Sequence, residues 1–135
     1  MIEFIKIFKK QQKFHCPVCK VKRIGRIMNA IPQDEIERFV NEVVHKFDPH
    51  RVILFGSHAS GHVLPDSDVD LLVIMEFHGR PQSQAFKIRR EVSRTFPLDL
   101  IVRKPSEINY RIAEGDYFFR DILENGKVLY ERTGQ

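Results

Sequence analysis

Two aspartates one residue apart, Asp68 and Asp70, head the apolar run Leu71-Leu72-Val73-Ile74-Met75. Strand side chains alternate faces, so both carboxylates point one way while Val69 points into the opposite layer. Carboxylates side by side repel, and a hard divalent cation removes the repulsion; Mg²⁺ is typically held by one or two carboxylates completed by substrate phosphates. The pair is a candidate metal seat. Upstream, Arg51-Val52-Ile53-Leu54-Phe55 reads as a buried strand ending in Gly56-Ser57, where backbone can come close to a ligand. The following His58-Ala59-Ser60-Gly61 opens a short helix whose first N–H groups lack partners and suit a triphosphate tail. A third acid, Asp99, lies in the apolar strand Pro97-Leu98-Asp99-Leu100-Ile101-Val102. If that strand pairs beside the first, three carboxylates meet and can hold two metals about 3.5–4 Å apart, the spacing used for in-line displacement at phosphorus.

The elements that must position these groups alternate along the chain. Pro32, acidic Asp34 and Glu35, and the stripe Ile36, Phe39, Val40, Val43, Val44, Phe47 predict a helix stopped by Asp48-Pro49-His50. Ala85, Ile88, Val92 and Phe96 predict a second helix running to Pro97. Its other face carries Lys87, Arg90 and Arg94, read as a solvated surface, with docking to an acidic partner as the alternative. Ser106 is expected to cap a helix through Ala113, and Asp116 another through Leu123. Asn125-Gly126 then turns into a strand, Lys127–Tyr130. The expected fold is therefore α/β (α+β): a small mixed sheet with helices packed mainly on one face and the acids on the other, open side.

A Gly-Ser turn, a spacer, Asp-x-Asp heading an apolar strand and a later lone Asp on a strand resemble the DNA polymerase β-type nucleotidyltransferase superfamily. The likeness runs over roughly residues 28 to 132 and includes Asn125-Gly126-Lys127-Val128-Leu129-Tyr130-Glu131, similar to the family's closing strand. The short length is similar to that of the minimal nucleotidyltransferase domains, many of which are antitoxins beside helical HEPN-type toxins.

That resemblance implies a polymerase β-like fold and a Mg²⁺-dependent adenylyltransferase. Attack of an acceptor hydroxyl on the α-phosphorus of ATP would release pyrophosphate and leave AMP on a partner protein. It implies catalytic and metal-holding roles for Asp68, Asp70 and Asp99 around two Mg²⁺ ions, and nucleotide contacts from Gly56, Ser57 and Ser67. The implied partner is a HEPN-type toxin encoded nearby. A non-catalytic antitoxin or nucleotide-binding module, and a transferase acting on a small molecule such as an antibiotic, are the alternatives. The chain departs from many relatives at His58 and Ser60, where they carry Arg or Lys, which removes a cationic phosphate contact.

Charge divides the chain in two. Residues 1–31 hold eight Lys and Arg against Glu3 alone, and residues 32–135 hold fourteen against seventeen acids, so the net charge of +4 is +7 in the arm and −3 in the body. Residues 1–27 are accordingly read as a basic N-terminal extension and 28–135 as the minimal nucleotidyltransferase domain, with Met28 an alternative start to Met1. A basic arm can attract nucleic acid, but a solvated extension is the preferred reading. Within it, Cys16-Pro17-Val18-Cys19 beside His15 supplies two thiolates where structural zinc wants four ligands, so an unoccupied remnant is preferred to a zinc site. No stretch is long enough to span a bilayer and no signal-peptide pattern opens the chain, so a cytoplasmic protein without a membrane partner is expected.

Overall fold

The structure is a computed structural model, and it describes residues 31–63 and 67–133. The basic extension, with His15, Cys16 and Cys19, and the alternative start Met28 lie outside the described residues. Helix α1 (Gln33–Phe47) forms where the apolar stripe predicts it, with Asp34 and Glu35 in its first turn and His45 and Lys46 in its last, each sign at the favourable end of the helix dipole. It ends at Asp48, which takes a left-handed conformation (φ 50°) and donates its N–H to the Val44 carbonyl. Strand β1 (Arg51–Phe55) follows, then the four-residue helix α2 (Ser57–Ser60), strand β2 (Val69–Ile74), helix α3 (Pro81–Glu91) and strand β3 (Leu98–Arg103). Helices α4 (Pro105–Ala113) and α5 (Tyr117–Asn125) and strand β4 (Lys127–Glu131) complete the described part.

The four strands form one mixed sheet in the order β3-β2-β1-β4. Strand β1 runs antiparallel to both neighbours, and β2 and β3 are parallel. Alternation divides the strand residues between two cores. Val52, Leu54, Leu71, Val73, Leu100 and Val102 join α1 and α3 on one face. The second face holds Ile53, Leu72 and Ile74 against Ile108, Phe119 and Ile122 of α4 and α5. The larger cluster is the first, as the expected layering requires. The opposite face is not bare, however: two short amphipathic helices pack on it, because their apolar stripes need a partner.

Several boundaries differ from expectation, with α5 running on to Asn125 and β4 to Glu131. Helix α3 stops at Glu91, and Val92 is extended (φ −119°, ψ 120°), although Val92 and Phe96 are both buried. The buried pattern continued beyond the helix because the chain still runs over the core, and Phe96 closes edge-on against Phe39, ring centroids 5.9 Å apart. Helix α4 begins at Pro105 with Lys104 as its cap and no side-chain cap bond, so Ser106 does not cap it; proline with its preset φ and missing N–H starts the helix instead. Asp116 does cap α5, accepting from the N–H groups of Phe118 and Phe119 at 2.9 and 3.4 Å. Among the described residues no helix is long and apolar enough to cross a membrane.

Candidate active site

Parallel pairing of β2 with β3 puts Asp70 directly opposite Asp99, at the roughly 5 Å inter-strand spacing of a sheet. On the other side of β2, Asp70 registers against Phe55 at the end of β1. The chain then turns sharply at Gly56, whose φ of 76° is in the left-handed region. A Cβ at that position would lie 2.2 Å from Asp70 Oδ2 and 3.1 Å from its Cγ, so the carboxylate rests on bare glycine backbone. Only glycine meets both conditions. The Gly-Ser turn and the acid strand are thus in van der Waals contact at one end of the sheet.

Electrostatics ties in the remaining acids. The Asp70 carboxyl is half-buried and held above the ordinary carboxylate range, first by burial, then by the charges of Asp99 and Asp68, with His58 opposing; a hydrogen bond with the Asp99 carboxyl adds to the rise. Carboxylates held this close are a ready seat for a cation, which would discharge the repulsion. Asp68 and Asp99 are exposed. Asp68 stands just before β2, and its backbone carbonyl accepts from His58 Nδ1 at 3.1 Å, which fastens the turn to the start of the acid strand. The other ring nitrogen of His58 is buried and has no partner among the described residues.

The six candidate residues fall as follows. Asp70, Asp99 and Gly56 are brought together by register and contact, Asp68 reaches Asp70 through its charge, and Ser57 begins α2 directly after Gly56. Ser67 is half-buried and adjoins Asp68. The N–H groups at the start of α2 have no intrahelical partner by helical geometry, and Gly56 supplies no side-chain cap. All three acid donors are oxygen, as a hard cation requires. Among the described residues no three acids, histidines or cysteines stand close enough to cage a metal unaided. The donor set fits an ion that shares its shell with substrate oxygens, not a closed structural metal.

Sequence reasoning missed a second feature. A cleft of about 350 Å³ opens beside Gly56, between α2 and α5, with Phe55, Ala59, Phe118, Asp121 and Asn125 among its walls. The i, i+4 spacing of Asp121 and Asn125 was the available signal; which helix would face the turn was not.

Comparisons with known proteins give a family and a fold. A sequence model described as the nucleotidyltransferase domain matches residues 36–129. A crystal structure of a protein from Sulfolobus solfataricus, provisionally named as a nucleotidyltransferase, superposes with a TM-score of 0.53 at 21% identity, covering 75% of this chain and 81% of that one. At that identity the likeness is one of fold. No curated protein matches the chain.

Proposed function

We propose, from the premise that this chain belongs to the nucleotidyltransferase-domain family, that it moves AMP from ATP onto a hydroxyl of a partner protein in a Mg²⁺-dependent reaction. The observation that carries the reading is Asp70, set between Asp99 and Asp68 and resting on Gly56. Asp70 and Asp68 would hold metal against the triphosphate. Asp99, exposed at the edge strand, would face the acceptor and help draw off its hydroxyl proton. Gly56, Ser57 and Ser67 would receive the phosphates, the first two through the backbone of the turn into α2. Bound Mg²⁺ supplies two things: a lowered pKa for the attacking hydroxyl and neutralisation of charge on the departing pyrophosphate.

The partner proposed is a HEPN-type toxin encoded nearby, with this chain as its antitoxin. The test mixes the protein with α-labelled ATP, Mg²⁺ and the neighbouring gene product. Label should appear on the partner and fall at least about a hundredfold with Asp68→Asn or Asp70→Asn, as for loss of a metal ligand. A second reading, a non-catalytic antitoxin that masks its partner by contact, is favoured by His58 and Ser60 standing where relatives carry cations. Full neutralisation by both variants, with no label transferred by the wild type, would establish that reading instead.

A further inference from the structure

The cleft beside Gly56 is not needed to hold phosphates or metal, and its chemistry is wrong for both. Its walls are mostly apolar, and the one charged side chain among its described lining residues, Asp121, would repel a triphosphate. We infer that it receives the base of the donor nucleotide and selects a purine bearing an exocyclic amino group. This rests on the nucleotidyl-transfer reading above and specifies its substrate.

Position comes first. Gly56 both lies under the Asp70 carboxylate and lines the cleft, so a nucleotide whose phosphates touch the Gly56–Ser57 turn reaches the cleft without crossing the acids. An acceptor cannot use the same route, because in-line displacement requires the nucleophile to approach opposite the leaving pyrophosphate. The Asp99 edge of the sheet is left for it. Size agrees as well: the volume of about 350 Å³ lies in the range of small-molecule sites and leaves room for a bicyclic ring.

The polar end gives the selectivity. Asn125 Nδ2 donates to Asp121 Oδ1 at 2.6 Å. A carboxylate only accepts, so the amide orientation is fixed by chemistry, and the Asn125 carbonyl and the second Asp121 oxygen are left as acceptors. The Ser60 hydroxyl spends its proton on the Ser57 carbonyl at 3.2 Å and brings no free donor. A ring edge presenting an amino group meets these acceptors; the same edge carrying a carbonyl places lone pair against lone pair. Phe55 and Phe118, edge to face at 6.0 Å and 88°, supply the apolar wall, with Phe118 half-exposed at the cleft mouth. The second Asn125 N–H remains to donate to the ring nitrogen next to an amino group, as adenine offers.

The decisive pair of ligands is ATP and ITP, which share ring size and differ by an amino group replaced with a carbonyl. Calorimetry with each triphosphate and Mg²⁺ should show ATP binding about tenfold more tightly, the scale of a hydrogen bond to a charged group. Asp121→Ala should bring the two within about twofold, and Asp121→Asn should do the same while keeping a contact to Asn125. Asp121 is exposed, so both variants should melt as the wild type does. Equal binding of ATP and ITP by the wild type, or a preference that survives in both variants, would overturn the inference. So would inorganic tripolyphosphate binding as tightly as ATP, which would leave the phosphate turn standing. Failure of all three ligands to bind would instead bring down the nucleotidyl-transfer reading, and this inference with it.

Discussion

Asp70 constrains its neighbours as much as they constrain it. Because its carboxylate rests on Gly56, Gly56→Ala should force Asp70 aside as well as strain a backbone held at φ 76°. A cost of about 1–3 kcal/mol in urea denaturation, with Mg²⁺-ATP binding weakened in parallel, is the expected outcome. Wild-type stability in that variant would mean the turn relaxes freely. Glu37 gives a second test at this scale, away from the site. It is almost wholly buried on α1, one of its carboxylate oxygens has no hydrogen-bond partner among the described residues, and burial above all, with the charge of Asp34, holds its carboxyl above the usual range against the pull of Lys127. The folded chain therefore keeps a proton that the unfolded chain has released. The stability this contributes is present at low pH and is lost as pH rises through the raised value. Glu37→Gln should flatten that decline in urea midpoints measured from acid to neutral pH, and an unchanged slope would refute the assignment.

Among the elements, β2 carries both structure and site. Its alternate residues Val69, Leu71 and Val73 seal one core, Leu72 and Ile74 the other, and Asp70 shares the second face by the same alternation. Leu72→Ala should cost about 2–5 kcal/mol, read from denaturant midpoints, because a buried leucine on a central strand leaves a cavity that neither neighbouring strand can fill. The strand itself and the face taken by Asp70 were legible in the sequence from alternation, whereas Asp68 lies just before the strand, where alternation does not place it. The end of α3 was not legible: Val92 and Phe96 carry the helical spacing onward as buried residues, and burial continues where the hydrogen-bonded helix has stopped. Ser106 misled for a related reason, since a good capping residue is passed over where Pro105 has already fixed the first helical φ.

At the scale of the whole molecule, Mg²⁺ with ATP should raise the melting temperature by mass action, equivalent to about 2.7 kcal/mol at a hundred times the dissociation constant. No shift with both at millimolar concentration would count against the site. Deleting residues 1–27 should leave the shift intact, since the family match begins at residue 36. The sequence by itself determined the alternation of elements and the turn after β1, because these are matters of local periodicity and of glycine at a single bend. It could not decide that β3 lies beside β2 with Asp99 opposite Asp70, since strand neighbours and register follow from how distant segments share a core. Nor could it place α5 against the Gly56 turn, where Asp121 and Asn125 acquire a cleft to face. Those contacts join residues far apart in the chain, and only the packing of both faces of one sheet selects them.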